Sequence, residues 1–144
     1  MKFVPANRIT SLSLLAALCL CFSTASEAAK RALLIGNNAY LHARPLVNAR
    51  NDAVRLGEVL NGLGWQTTVL QDLTSDRMKR ALREFKATLR EGDEVVFHFS
   101  GHGAEFEQSS FLLPVDVEPT NRELVKDDAI RLRRVMDDFE QQRV

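Results

Sequence analysis

Cysteine is almost absent from this sequence. Only Cys19 and Cys21 occur in 144 residues, and both precede Lys30. The chain from Lys30 onward therefore has no thiol, which excludes a disulfide, a thiolate metal site and a cysteine nucleophile supplied by that part. Repeats and low-complexity segments are also lacking. Hydrophobic residues make up 45% and charged residues 26%, a balance that excludes disorder and a coiled coil.

An excess of either charge is missing as well. The sequence contains 19 basic and 19 acidic residues. Without Lys2, Arg8 and Glu27, which lie before Lys30, 17 basic residues face 18 acidic ones. A protein that neutralises phosphates should carry a basic excess, so no nucleic-acid partner is expected. The sequence carries no signal for an oligomeric state.

The N-terminus differs in character from the rest of the chain. Lys2 and Arg8 precede an apolar stretch over residues 12–22, which is too short to span a bilayer as a helix. Small-residue pairs at 23/25 and 26/28 follow. This layout predicts a signal peptide over residues 1–29 and an exported protein, periplasmic or extracellular, without stable membrane insertion after cleavage. An N-terminal membrane anchor is the alternative. A lipoprotein anchor is disfavoured, since both cysteines follow leucine.

Residues 30–144 are predicted to form one domain of alternating strands and helices. Apolar or β-branched runs predict strands at 31–35, 65–70 and 94–99. Apolar residues three and four apart predict three helices. Their apolar faces are Ala53, Leu56, Val59, Leu60 and Leu63; Met78, Leu82, Phe85 and Leu89; and Ile130 or Leu132, Val135, Met136 and Phe139. Thr74 or Ser75 can cap the second helix, with Leu73 and Met78 as a hydrophobic staple.

The alternation predicts an α/β fold, a doubly wound and mostly parallel sheet with helices on both faces. Residues 111–117 are expected to form a hairpin or an irregular extended piece, because Pro114 cannot donate to a strand ladder. The last helix has no strand after it, so the third strand would be an exposed edge. The domain is therefore expected to be incomplete at its C-terminus.

Two loops follow predicted strands at the sheet edge where ligands bind in such folds, residues 36–52 and 100–103. In the second loop His102 stands between Gly101 and Gly103. Glycines remove side-chain bulk and permit positive φ, which would display the imidazole at the strand end. The N–H of Gly103 could help to hold an oxyanion. The alternative is a tight turn with an incidental histidine.

His98 and His102 are four residues apart, a spacing that some metal sites use. That spacing forms a zinc pair on a helix, where both rings share a face, but this segment is predicted to be a strand followed by a turn. No metal and no cofactor is therefore expected. His98 is interpreted as a structural residue of the third strand.

Several segments occur together in the order and spacing of one known family. They are Ala32–Asn37 with Tyr40 and Pro45–Leu46, Asn48–Ala53, Val96–Gly103, and Phe111–Asp116. In these segments the chain resembles the caspase-like cysteine peptidases, peptidase family C14, and their bacterial metacaspase-like or orthocaspase-like members in particular.

This resemblance implies roles for four residues. His102 matches the catalytic histidine, and Gly103 matches the oxyanion-hole amide. Asp52 and Ser100 match residues that line the specificity pocket, where a carboxylate can pair with a basic side chain. A peptide or protein substrate cleaved after Arg or Lys is therefore expected. The alternatives are a helix N-terminal acid for Asp52 and a turn hydroxyl for Ser100.

One departure from the family pattern concerns the nucleophile. The family's cysteine lies at the end of the fourth strand, roughly 50 residues after the histidine, and this sequence contains no such cysteine. The chain alone is therefore predicted to be an inactive N-terminal portion of a cysteine endopeptidase. Two alternatives remain: a non-catalytic caspase-like binding module or pseudo-enzyme remnant, and an unrelated α/β domain whose glycine loop binds a small ligand.

Overall fold

The computed structural model of the protein describes residues 28–144. The predicted signal peptide thus lies, apart from its last two residues, outside the described part of the chain. Within 28–144, no helix combines the length and apolarity needed to cross a bilayer. The elements in chain order are β1 (Lys30–Gly36), α1 (Ala49–Gly62), β2 (Gln66–Gln71), α2 (Ser75–Thr88), β3 (Glu94–Ser100), β4 (Gly103–Phe106), β5 (Ser109–Leu112), α3 (Arg122–Asp128), β6 (Ile130–Arg131) and α4 (Leu132–Gln142).

The first three strands form a parallel sheet in the order β2-β1-β3. Gly36, the last residue of β1, lies opposite Gln71 of β2 and Ser100 of β3. All three strands therefore end at the same edge, and the loops that follow them meet there. This agrees with the predicted strands, whose bounds shift by about a residue.

Both faces of this sheet are covered by helices. Along β1, Leu33 and Ile35 pack into the cluster that contains the buried faces of α2 and α4. Ala32 and Leu34 alternate with them and pack toward α1. Because strand side chains alternate between the two faces, this packing makes the sheet doubly wound, as predicted.

The apolar face predicted for α1 is partly wrong. Val59 and Leu63 are 59% and 66% exposed, whereas the buried residues are Ala49, Ala53 and Gly57. A Cβ on Gly57 would lie 2.7 Å from Cγ2 of Val69. The helix lies so close to the sheet that small residues, and not the largest apolar ones, form its contact face.

A second sheet, antiparallel and in the order β4-β5-β6, follows β3. Each alternative is correct for part of residues 111–117, since residues 113–117 are irregular, whereas Phe111 and Leu112 belong to a β4–β5 hairpin. Its two-residue turn holds Glu107 and Gln108 at φ values of 48° and 61°, the left-handed backbone that a type I′ turn requires. Pro114 follows β5 in irregular backbone. Helix α3 and strand β6 were not predicted.

The start of α2 matches the prediction in position but not in its capping bond. Thr74 is the N-cap residue but makes no side-chain capping bond. The N–H of Ser75 instead donates to Oδ1 of Asp116, at 2.8 Å. Leu73 and Met78 are buried in one cluster, as a hydrophobic staple requires. The carboxylate thus ties the segment after β5 to the helix N-terminus.

Candidate active site

The common edge of the parallel strands brings the predicted residues into one region. Ser100 ends β3, and His102 follows two residues later, half-buried. Asp52 lies in the first turn of α1 and is exposed. The hydroxyl of Ser100 donates to Oδ2 of Asp52 at 3.4 Å. This is a long contact for a hydroxyl donor, so the carboxylate keeps most of its capacity to accept other hydrogen bonds.

The imidazole of His102 is held at one nitrogen. Its Nε2 lies 2.8 Å from the backbone carbonyl oxygen of Arg44. A carbonyl oxygen only accepts hydrogen bonds, so this contact assigns the proton of the neutral ring to Nε2 and leaves the lone pair on Nδ1. This partner could not be predicted from the sequence, because a backbone carbonyl in a loop leaves no pattern of side chains.

Gly103 is the first residue of β4 and lies opposite Leu112 in the hairpin. The neighbouring residue, Leu113, donates its N–H to the carbonyl of His102 at 3.0 Å. Hydrogen-bonded and non-hydrogen-bonded pairs alternate along an antiparallel ladder, so Gly103 belongs to a non-hydrogen-bonded pair and its N–H is directed away from β5. Gly103 is exposed, and this amide is therefore accessible beside the histidine.

Of the two reasons proposed for these glycines, positive φ is wrong, whereas the absence of side-chain bulk is confirmed at Gly101. Neither Gly101 nor Gly103 has positive φ; the glycines that do are Gly64 and Gly92. A Cβ on Gly101 would instead lie 2.5 Å from the hydroxyl oxygen of Tyr40 and 2.6 Å from Cζ of Phe99. Gly101 is required for space, chiefly for a tyrosine that comes from the loop after β1.

Tyr40 is buried beneath the histidine, with 5% of its surface exposed. Its ring centroid lies 4.5 Å from that of His102. Burial raises the pKa of Tyr40 to about 12, which outweighs the opposing effect of the hydrogen bond from the His102 backbone. The hydroxyl therefore stays protonated at physiological pH and can both donate and accept.

The loop that carries Tyr40 is anchored by Asp72, which follows β2 at the same sheet edge. Its Oδ1 accepts the N–H groups of Asn38 and Ala39 at 2.7 and 2.9 Å, and its Oδ2 accepts Nη1 of Arg50 at 3.0 Å. Partial burial opposes ionisation, but these donors hold the pKa of Asp72 below its usual range. Asp72 was not among the predicted site residues, although an acid directly after a strand at this edge was a usable signal.

His98 lies within β3, as the structural interpretation requires. Its Nε2 is buried and has no hydrogen-bond partner among the described residues. In residues 28–144, no group of three or more His, Cys, Asp or Glu side chains is placed to hold a metal ion. His98 and His102 thus stand on a strand and a turn, without the shared helix face that a zinc pair uses.

The fold and this edge of the sheet define a caspase-type α/β domain, and comparison with known sequences agrees. The family described as the caspase domain matches residues 29–140. The chain therefore belongs to the caspase-domain family, which confirms the resemblance seen in its sequence and excludes an unrelated α/β domain.

Two curated proteins illustrate how this chain relates to others. It is 37% identical over 87 residues to the mucosa-associated lymphoid tissue lymphoma translocation protein 1 of Homo sapiens, which is 60% of this chain and 11% of that protein. The homolog from Mus musculus matches at the same identity over 87 residues, 10% of its length. The chain spans about a tenth of the length of these curated relatives.

Proposed function

We propose that this chain is the histidine-bearing part of a caspase-type cysteine endopeptidase that cleaves peptides after Arg or Lys. The observation that carries the proposal is the state of His102: a half-buried imidazole with Nε2 bound to the carbonyl of Arg44 and Nδ1 left as the basic nitrogen. A ring held in this tautomer at the carboxyl edge of a parallel sheet is suited to general acid–base catalysis.

The proposed chemistry uses His102 twice. Nδ1 accepts the proton of a cysteine thiol, and the thiolate attacks the carbonyl carbon of the scissile peptide. The oxyanion of the tetrahedral intermediate accepts the N–H of Gly103. His102 then returns the proton to the leaving amine, and the acyl group stays on sulfur until water, deprotonated by the same ring, releases it.

The thiol is proposed to come from polypeptide beyond Val144, since residues 30–144 contain no cysteine. Strand β3 supports this proposal, because within residues 28–144 it pairs with β1 on one side only. A parallel strand added at its open edge would end level with Ser100. Its carboxyl end would then present a side chain close to His102.

The preference for a basic residue is proposed to reside in Asp52 and Ser100. The long contact between them leaves Asp52 free to bind a guanidinium through both oxygens. Arg50, two residues before Asp52, does not compete with the substrate for this carboxylate, because it is paired with Asp72 at 3.0 Å. The exposed carboxylate thus favours a cationic side chain and repels an acidic one.

Export is part of the proposal. Of the two small-residue pairs, 26/28 would place the cleavage after Ala28, one residue before the predicted end of the signal peptide at residue 29. Ala29 supports a boundary at this point, because its N–H donates to Oδ1 of Asp93 and its carbonyl accepts the N–H of Glu94. Cleavage after Ala28 would leave both contacts in place. N-terminal sequencing of the secreted product tests this; a product that retains the apolar stretch would show an anchor instead.

The test of the enzymatic proposal is to express the chain together with the polypeptide encoded immediately downstream. We expect cleavage of fluorogenic substrates with Arg or Lys at P1 and not with Asp. His102→Ala should reduce kcat/KM by about 10²–10⁴-fold. The matched control is His42→Ala, since His42 is an exposed histidine on the loop after β1. Undiminished turnover in His102→Ala contradicts the proposal, and a downstream sequence without a cysteine-bearing strand supports a non-catalytic module.

A further inference from the structure

The hairpin next to His102 contains a gap in its ladder. Leu113 donates its N–H to the carbonyl of His102 at 3.0 Å, so these residues stand as a hydrogen-bonded pair, which normally exchanges two such bonds. The second bond, from the N–H of His102 to the carbonyl of Leu113, is replaced. The N–H of His102 donates to the Tyr40 hydroxyl at 2.8 Å, and that hydroxyl donates to the Leu113 carbonyl at 3.1 Å.

The inserted hydroxyl closes a ring of three hydrogen bonds around the backbone of His102. Only a group that accepts and donates at once can occupy this place, which a protonated phenol does. The same carbonyl of Leu113 also accepts Nδ2 of Asn37 at 3.3 Å. A buried backbone group that loses its hydrogen-bond partner lowers the stability of the fold. The three hydrogen bonds therefore fix the spacing between the turn that carries His102 and β5.

The surrounding structure is shaped to admit this hydroxyl. Gly101 leaves the space it occupies, since a Cβ there would lie 2.5 Å from the Tyr40 oxygen. The loop that carries Tyr40 also supplies the carbonyl of Arg44 that binds Nε2 of His102. One loop therefore holds the backbone of the histidine through Tyr40 and its ring through Arg44.

We propose that Tyr40 is a positioning residue for His102: its hydroxyl, set into the ladder between His102 and Leu113, holds the imidazole against the Arg44 carbonyl and so keeps the lone pair on Nδ1. This inference rests on the proposed role of His102 as the acid–base group. It adds a residue that never touches substrate yet determines which nitrogen of the ring is basic.

The test uses NMR of the full chain, in which Tyr40 is the sole tyrosine and three histidines are present. In the unaltered protein we expect a protected His102 amide and the Nε2–H tautomer in long-range ¹⁵N spectra. Tyr40→Phe keeps the ring and removes the hydroxyl. We expect His102 amide exchange to accelerate on the order of tenfold, the effect of one lost hydrogen bond, and the Nδ1–H tautomer to appear.

Gly101→Ala should produce the same two changes, because its methyl group competes with the hydroxyl for space. Gly62→Ala is the matched control, since a Cβ at this position would meet no atom within 4 Å apart from the neighbouring backbone of its own helix. In a chain that already carries Tyr40→Phe, Gly101→Ala should add less acceleration than it does alone. Hydrogen exchange at the amide of Leu34, which lies in β1 away from Tyr40 and His102, serves as the reference for global stability.

Three results would overturn the inference. One is an unprotected His102 amide in the unaltered protein. Another is an unchanged amide and tautomer in Tyr40→Phe. The third is an acceleration shared equally by Leu34, which would mean general destabilisation. None of these measurements involves catalysis, so they can confirm the positioning role of Tyr40 even in a chain without peptidase activity. If the positioning role of Tyr40 is contradicted, the proposed acid–base role of His102 is unaffected.

Discussion

At the scale of single residues, Asp52 has two possible roles that make different predictions. As part of a specificity pocket, its carboxylate pairs with a substrate guanidinium; as a helix N-terminal acid, it only stabilises α1. If the pocket role is correct, Asp52→Asn should lower kcat/KM for Arg substrates roughly 10- to 100-fold, the equivalent of one charge-assisted hydrogen bond. The assay uses the chain expressed together with the downstream polypeptide that supplies the cysteine.

Asp76 provides the matched control for this comparison, because it lies in the first turn of α2. Asp76→Asn should change stability by a few tenths of a kcal/mol up to about 1 kcal/mol, as removal of a helix N-terminal acid does, and leave kcat/KM unchanged. If both variants behave alike, with the basic preference retained, the pocket assignment is wrong.

Asp72 predicts a pH dependence of stability. Its pKa is lower in the folded protein than in the unfolded chain, so ionised Asp72 favours the folded state above the unfolded-state pKa. This contribution should be lost as the pH falls from about 5 through the lowered folded-state pKa. Asp72→Asn should cost roughly 1–3 kcal/mol at pH 7 and less at pH 3. Urea unfolding at both pH values measures this; an equal cost at both would show that ionisation of Asp72 is not involved.

At the scale of elements, α1 makes a prediction that contradicts helix propensity. Alanine usually stabilises a helix relative to glycine by about 1 kcal/mol. At Gly57 the added methyl would lie 2.7 Å from the Val69 side chain, so Gly57→Ala should destabilise the protein by roughly 1–3 kcal/mol. Gly62→Ala, in open space at the end of the same helix, should be neutral or stabilising. Thermal unfolding of the two variants decides; equal shifts would contradict the close contact.

In the hairpin turn, by contrast, a substitution to glycine should stabilise the protein. Gln108 holds a left-handed conformation at φ 61°, which costs a non-glycine residue roughly 1–2 kcal/mol. Gln108→Gly should therefore stabilise the protein by up to about 1 kcal/mol. Glu107 is unsuitable for this test, because it also forms an ion pair with Lys126 at 3.0 Å. A loss of stability in the urea midpoint of Gln108→Gly would show that the turn is not held in this conformation.

These elements also show what the sequence could predict. Periodicity and strand runs located three strands and three helices, because burial on a regular element leaves a regular pattern. The periodicity placed part of the contact face of α1 wrongly, since a close helix–sheet contact favours the small residue Gly57 over Leu63. It missed α3 and β6 because a seven-residue helix and a two-residue strand are too short to show a period. The flanking glycines made His102 a predictable site residue. The roles of Tyr40 and Arg44 could not be predicted, because their contacts with His102 form only in the folded protein.

At the scale of the whole molecule, the decisive feature is the outer edge of β3. The N–H of Glu94 donates to the carbonyl of Ala29, and the carbonyl of Ser100 accepts the N–H of Asn37. Since backbone groups alternate in direction along a strand, residues 94, 96, 98 and 100 bond toward β1. The N–H groups of residues 95, 97 and 99 point to the open edge.

This alternation gives a prediction for hydrogen exchange that separates a peptidase portion from a self-sufficient module. In the chain alone, the amides of Val95, Phe97 and Phe99 should exchange fast, while those of Val96 and His98 are protected. When the cysteine-bearing polypeptide is supplied, the three fast amides should become protected as a parallel strand pairs with β3. If they are already slow in the chain alone, at every protein concentration, the edge is covered within this chain and the thiol cannot reach His102 by that route. If their protection grows with concentration, a second copy occupies the edge in place of the missing strand.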